Sequence, residues 1–199
     1  MGFMDEVSSG GATKLLKFDG KAGSYVVRGS EATFNGQEFL ADVYSATGGF
    51  LKFNGKGQQP ERRTGLVFPK DLAPARSSLG DLDQSAWANG RFSDGPEDPW
   101  TPVIELPLIH RESGEAFTFT AQSKTSLAAV KDFLGLCRRV PEGFLPIVRL
   151  DVGSFKGKFG QVKKPALSVI GKSPIETDSE DGFDFDDEPG LSFHENLWA

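Results

Sequence analysis

The distribution of charge along this chain limits which part of it can form a hydrophobic core. The last 27 of the 199 residues, 173–199, contain nine Asp or Glu and no Lys or Arg. The preceding body holds all 22 Lys and Arg against 19 acidic residues, so the net charge of −6 combines a mildly cationic body with a strongly anionic end. Such a dense run of like charge cannot bury enough apolar surface to offset its ordering entropy. We therefore expect 173–199 to be a disordered acidic tail.

The body has the length of a single domain. Residues 1–13 are small and polar and predict a flexible N-terminus, whereas 14–172 are long enough to enclose one substantial core. Cys137 is the only cysteine, so no intramolecular disulfide can form, which is typical of a reducing cytoplasm. No apolar run approaches the roughly 18 residues of a membrane span. We expect a cytoplasmic protein with no membrane partner.

Alternating apolar and polar residues predict that the body consists mainly of strands. Residues 39–46 alternate, and 50–53 continue the pattern after Thr47-Gly48-Gly49, so we expect a hairpin that turns at the glycines. Residues 116–120 alternate strictly, which places Phe117 and Phe119 on one face. The other predicted strands are 65–68, 103–109, 146–152 and 166–170.

One helix is predicted between these strands. Its apolar face consists of Leu127, Val130, Leu134 and Cys137, which follow one another at helical spacing. Ser123 or Thr125 would cap its start, and Pro141 would stop it.

This order of elements favours a β-barrel that resembles the oligonucleotide-binding barrel, a five-stranded fold with its helix between the third and fourth strands. A small β-sandwich or another mixed α+β fold fits the same order. Residues 55–100, rich in Gly, Pro, Ser, Asp and Arg, would be an insertion in the barrel. A segment of this length without regular structure is usually functional or mobile.

The sequence offers few groups for catalysis. There are two histidines, His110 and His194, and with one cysteine they cannot form a zinc cluster. The glycine–lysine segments lack the spacing and the Ser or Thr of a phosphate-binding loop. Glu105 and Asp151 are acids on predicted strands, but two scattered carboxylates are a weak basis for a metal-dependent nuclease. We expect no enzymatic activity, no metal and no cofactor, with the nuclease as the less favoured alternative.

Two segments of the body interleave aromatic and cationic residues, the combination that binds single-stranded nucleic acid. Cations neutralise phosphates, and each base stacked on an aromatic ring contributes about 1–3 kcal/mol. In the barrel prediction these segments lie at the first hairpin and at the loop between the last two strands, which line the ligand groove. Each phenylalanine could instead belong to the core. The predicted nucleic-acid contacts are Phe50, Lys52, Phe53, Lys56, Arg62, Arg63, Trp100, Phe155, Lys156, Lys158, Phe159, Lys163 and Lys164.

The tail contains Asp184-Phe-Asp-Asp-Glu-Pro189, which resembles the acidic C-terminal tip of bacterial single-stranded-DNA-binding proteins. Phage proteins with oligonucleotide-binding barrels carry similar tails. In those families the tail docks onto replication and repair proteins and competes with DNA for the basic groove. Their motif ends the chain, whereas here Gly190–Ala199 follow it. The resemblance implies that the tail binds partners through Asp184, Phe185, Asp186, Asp187, Glu188, Phe193 and Trp198.

The body is similar to uncharacterised proteins of bacteriophages and prophages in 98–100, 117–120 and 152–155. Together these features predict a phage protein that binds single-stranded DNA without sequence preference during replication or recombination. Its tail would compete for the DNA groove and recruit replication or recombination proteins in the host cytoplasm. A homodimer is compatible with the sequence. The alternative is a structural or interaction protein of the virion.

Overall fold

The structure is a computed structural model that describes residues 13–55, 58–90, 95–157 and 160–175. Its strands form one strongly curled half-barrel sheet, and one α-helix is present among the described residues. The predicted mainly β, barrel-like fold with one helix is confirmed. The predicted flexible segment 1–13, apart from Thr13, and the acidic tail from 176 onwards lie outside the described residues. The elements are β1 (Lys14–Asp19), β2 (Ser24–Val27), β3 (Glu38–Ala41), β4 (Thr47–Lys52), β5 (Glu61–Leu66), β6 (Trp100–His110), β7 (Ala116–Ala121), α1 (Lys124–Cys137), β8 (Phe144–Gly157) and β9 (Gly160–Pro174).

Strand β6 is the centre of the sheet, and β3 and β4 both pair with the same side of it. Phe39 lies opposite His110 at one end of β6, and Thr47 lies opposite Glu105 further along. The predicted hairpin between 39–46 and 50–53 is therefore wrong. The two segments form one bent strand, interrupted by a short 3₁₀ helix at Val43–Ser45.

The glycines assigned to that turn have a packing role inside β4. A Cβ at Gly49, where φ is +151°, would lie 2.0 Å from the carbonyl oxygen of Arg63 on β5. A Cβ at Gly48 would lie 2.5 Å from Cγ1 of Val67. Glycine is required here because the neighbouring chain passes too close for any side chain.

The bent strand β3–β4, followed by β6, β7, α1, β8 and β9, reproduces the element order of the oligonucleotide-binding barrel. β3 pairs antiparallel with β6 on one side and with β8 on the other, and β8 continues into β9. β7 pairs in parallel with β1, so an N-terminal hairpin of β1 and β2 adds two strands to the barrel edge. This hairpin was not predicted from the sequence. The strand predicted at 65–68 lies earlier, as β5 at Glu61–Leu66 inside the insertion.

The core lies between the curved sheet and α1. Phe39, Phe117 and Phe119 are fully buried from the sheet side. The predicted apolar face of α1 contributes Val130, Leu134 and Cys137, with Phe133 in addition, and Ser123 caps the first turn. Burial raises the pKa of the Cys137 thiol to about 12, so this residue behaves as a small core hydrophobe.

Tyr25 of β2 joins the N-terminal hairpin to the opposite edge of the sheet. Its ring is fully buried, and burial raises the pKa of its hydroxyl. That hydroxyl accepts a hydrogen bond from the backbone N–H of Ala166 at 3.1 Å. Its oxygen also lies 3.0 Å from the carbonyl oxygen of Ala166 and 3.1 Å from the carbonyl oxygen of Asp151. One phenol therefore bridges β2 to both β8 and β9, which do not pair with it through their backbones.

Strands β8 and β9 form a hairpin longer than the predicted strands 146–152 and 166–170. β9 extends to Pro174, and the backbone N–H of Ile175 donates to the carbonyl of Gly143 at 2.9 Å. The folded body therefore extends at least to 175, beyond the predicted boundary at 172. Within the described part of the chain, no helix has the length and apolar character to cross a membrane.

Candidate nucleic-acid interface

The first predicted group of contacts lies on β4, β5 and the start of β6, and each of its described cations is paired with a carboxylate. Lys52 Nζ lies 2.8 Å from Asp81. Both terminal nitrogens of Arg62 donate to the carboxylate of Glu105 at 2.8 Å, and this contact raises the pKa of the guanidinium. Arg63 forms an ion pair with Glu61, with 2.8 Å between a guanidinium nitrogen and a carboxylate oxygen. A phosphate would have to displace a carboxylate at each of these positions.

The aromatic residues of this group differ in exposure. Phe53 is 61% exposed, and Phe50 is half-buried. Trp100 is only 4% exposed, and its indole N–H donates to the Asp81 carboxylate at 2.9 Å. A ring buried to this extent has no open face for a base, so this arrangement does not support the predicted stacking role of Trp100. Lys56 lies outside the described residues.

The insertion is anchored by a network that we call the Asp81 clamp, formed by Lys52, Arg76, Asp81, Asp98 and Trp100. Asp81 has a left-handed backbone with φ of 52° and receives hydrogen bonds from both Lys52 and Trp100. Arg76 donates to both carboxylate oxygens of Asp98 at 2.7 and 2.8 Å. The Lys52 ammonium lowers the pKa of Asp81, and the Arg76 guanidinium lowers that of Asp98. The clamp gives a structural role to Arg76, Asp81 and Asp98 of the insertion.

The depressed pKa values make the Asp81 clamp sensitive to acid. Because each folded pKa lies below that of an unfolded carboxyl, the stabilisation is complete above about pH 4 and is lost as the pH falls through the folded values. In a Trp198→Phe background, tryptophan emission should therefore shift below about pH 4 as the sites of Trp87 and Trp100 open, since both indoles donate to Asp81. Asp81→Asn should produce part of that shift at pH 7. An acid transition unchanged by Asp81→Asn would show that other carboxylates control it.

The second predicted group lies on the distal half of the β8–β9 hairpin, Gly153–Gly157 and Gly160–Lys164, which we call the hairpin arm. Phe155 is 42% exposed. Lys156 and Lys164 are exposed and form no ion pair with any described residue. Lys163 donates to the backbone carbonyl of Ala22 at 3.3 Å and to no carboxylate within the described ranges. Lys158 and Phe159 lie outside the described residues.

Strand register divides these side chains between the two faces of the hairpin arm. Phe155 lies opposite Val162, and Lys164 lies opposite Gly153, so the phenyl ring and this ammonium group share the face that looks towards α1. Lys156 and Lys163 share the other face, where Lys163 reaches the β1–β2 turn. The arm thus combines an exposed aromatic ring with cations on both sides.

The described residues of the two predicted groups make no direct contact with each other. Among the described residues, no hydrogen bond, ion pair or ring contact connects the β4–β5 hairpin with the hairpin arm. Both groups instead adjoin α1: Phe50 lines a cavity together with Lys131, and Phe155 lines one together with Lys124 and Lys164.

Sequence reasoning missed one set of cations next to the hairpin arm. Lys124 of α1 lines a groove of about 520 Å³ together with Phe155 and Lys164. Lys131 and Arg138 follow it at seven-residue intervals along the helix. The seven-residue spacing of these cations is the sequence signal that indicates them.

Fold and site together define a class: a mainly β half-barrel protein that projects a cationic hairpin with an exposed aromatic ring. Comparisons of this chain with protein-family models, with curated proteins and with solved structures find no match.

Proposed function

We propose that this protein binds single-stranded DNA without sequence preference and that the hairpin arm is its main contact. The observation that supports this most directly is the exposed ring of Phe155 on an arm that also carries the ammonium groups of Lys156 and Lys164, neither of which pairs with a carboxylate of a described residue. Stacking on a phenyl ring accepts any base, and ammonium groups accept any phosphate, so neither contact reads sequence.

The ion pairing of the cations favours the hairpin arm over the β4–β5 hairpin as the site that binds phosphates. A phosphate that binds Lys156 or Lys164 displaces no carboxylate of a described residue. A phosphate that binds Arg62 must compete with a bidentate carboxylate, which is among the stronger side-chain contacts in proteins. We therefore treat Lys52, Arg62 and Arg63 as mainly structural, with Phe53 as the exposed aromatic residue of that end.

The acidic tail completes the proposal. It follows directly after β9, the strand that carries Lys163 and Lys164, so its nine carboxylates are tethered to the same strand as the proposed DNA site. Tethering makes the tail an intramolecular competitor at high effective concentration. When DNA displaces it, Phe185, Phe193 and Trp198 become free to recruit replication or recombination proteins. A phage origin and a host-cytoplasmic location rest on the sequence resemblance, and the proposal includes no chemical step.

An anisotropy titration of fluorescein-labelled oligo-dT tests the binding proposal. Intact protein should bind the oligonucleotide at low salt, and the logarithm of its affinity should fall with the logarithm of salt concentration by about 0.7 for each phosphate neutralised. Duplex DNA of equal length should bind more weakly because its bases cannot reach Phe155. Absence of binding at low salt, or equal affinity for the duplex, would contradict the proposal.

Removal of the tail should tighten DNA binding. The truncation should follow Ile175, because Ser173 and Pro174 belong to β9 and pair with Leu145 and Phe144. A full-length variant with all nine tail acids replaced by Asn or Gln separates charge from chain length, and it should bind oligo-dT as tightly as the truncation does. Competition by the tail is wrong if neither variant binds more tightly than the intact chain.

A further inference from the structure

Helix α1 presents a row of three cations that the proposed site does not use. Lys124, Lys131 and Arg138 are exposed, and their seven-residue spacing places them on one side of the helix at intervals of about 10.5 Å. The positions between them on this side are Ala128 and Gly135, which leave the helix surface open. We call this row the helix stripe. No carboxylate of a described residue lies within ion-pair distance of its three cations.

Stabilisation of the helix does not explain the helix stripe. Lys124 is the first residue of α1, where the positive end of the helix dipole disfavours a cation, and no acidic residue in the first turn offsets it. Arg138 at the other end is favoured by the dipole. The unfavourable position of Lys124 indicates that its charge serves something outside the helix.

Grooves flank the helix stripe on both sides. One contains Lys124 and Ala128 together with Phe155 and Lys164 of the hairpin arm. The other, of about 240 Å³, contains Lys131, Gly135 and Arg138 and lies against the insertion. The helix stripe is therefore a ridge between the two grooves, the crest of the helix surface, and it runs from the hairpin arm to the C-terminal end of α1.

We propose that the helix stripe is a second binding site for the phosphate backbone of the same single strand, an inference that rests on the proposed function. The strand held by Phe155 and Lys164 continues past Lys124 and then contacts Lys131 and Arg138. The small residues Ala128 and Gly135 let the backbone approach the helix. Asp132 lines one flanking groove and Asp71 the other, so like-charge repulsion keeps phosphates on the crest.

Oligonucleotide length separates this second site from the first. The test variant is Lys131→Ala, Arg138→Ala, which spares Lys124 because that residue shares a groove with Phe155 and Lys164. Its matched control is the charge-preserving pair Lys131→Arg, Arg138→Lys. Alanine favours an exposed helix, so both variants should keep the far-UV circular dichroism of the intact protein. The two probes are oligo-dT of about 6 and about 30 nucleotides, which bracket the usual site sizes of such folds.

For the longer oligonucleotide, the alanine variant should bind about tenfold more weakly at low salt, and the magnitude of its salt slope should fall by about 1.4, because two contacts at about 0.7 each are lost. The shorter oligonucleotide should bind it as tightly as it binds the intact protein. The control should match the intact protein for both lengths.

Unchanged affinity for the longer oligonucleotide would overturn the helix stripe as a binding site, as would an equal loss for both lengths. Either result leaves the hairpin arm intact as a site, provided that the unmodified protein binds oligo-dT. Failure of the unmodified protein to bind either length would overturn both proposals, and the two kinds of failure are thereby distinguished.

Discussion

Phe155→Ala is expected to weaken oligo-dT binding by about tenfold to a hundredfold, since a base stacked on an aromatic ring contributes about 1–3 kcal/mol and 1.4 kcal/mol corresponds to a factor of ten. Combining it with Lys156→Ala and Lys164→Ala should weaken binding further and lower the magnitude of the salt slope by about 1.4, because two phosphate contacts are lost. All three side chains are exposed and lie near the end of a hairpin, so the fold should be retained. Anisotropy titrations at several salt concentrations measure both quantities.

The β4–β5 hairpin provides a matched control. Phe53→Ala with Arg62→Ala and Arg63→Ala removes the same number of rings and charges, but these arginines are already paired with carboxylates. This triple variant should change affinity by much less than the hairpin-arm variant. The reverse order of effects would place the DNA site at the Trp100 end of β6 and refute the assignment to the hairpin arm.

Tyr25→Ala is expected to lower the free energy of unfolding by about 3–5 kcal/mol, the range for large aromatic truncations in a core. Tyr25→Phe keeps the ring and removes only the hydroxyl, which takes away the hydrogen-bond acceptor of the partly buried N–H of Ala166. We expect Tyr25→Phe to lower the free energy of unfolding by about 1–3 kcal/mol. Chemical denaturation followed by circular dichroism measures both changes.

Tyr44→Phe is the control for the loss of a hydroxyl. Tyr44 packs against Phe68 with ring centroids 5.3 Å apart, but its hydroxyl makes no hydrogen bond to any described residue. Its substitution should leave stability nearly unchanged. If Tyr25→Phe is no more destabilising than Tyr44→Phe, the hydroxyl bridge between β2 and β8–β9 contributes little to holding the half-barrel together.

Local patterns in the sequence were sufficient for much of the fold. The alternation of 116–120 predicted that Phe117 and Phe119 are buried on one face, and the helical spacing of Val130, Leu134 and Cys137 predicted the face of α1 that packs on the sheet. Both patterns depend on the orientation of side chains relative to their own backbone, which near neighbours in the chain determine. The order of elements then favoured the barrel.

The error at Gly48 and Gly49 shows where local information ends. A glycine pair between two strand-like segments usually makes a turn, because glycine adopts conformations that other residues avoid. Here the missing side chains matter instead, since β5 and Val67 approach β4 from a distant part of the chain. No neighbouring residue in the sequence indicates whether Gly48 and Gly49 form a turn or allow another strand to pack closely.

The sequence by itself determined the mainly β body, its helix and the charge contrast with the tail, because composition and periodicity express them directly. Only the tertiary structure decided which cations are available to a ligand. Arg62 and Glu105 are 43 residues apart, and Lys52 and Asp81 are 29 apart. Lys156 and Lys164 look similar to Arg62 in sequence but have no carboxylate partner among the described residues. An ion pair depends on which distant segments the fold brings within a few ångströms, and the spacing of residues along the chain does not contain that information.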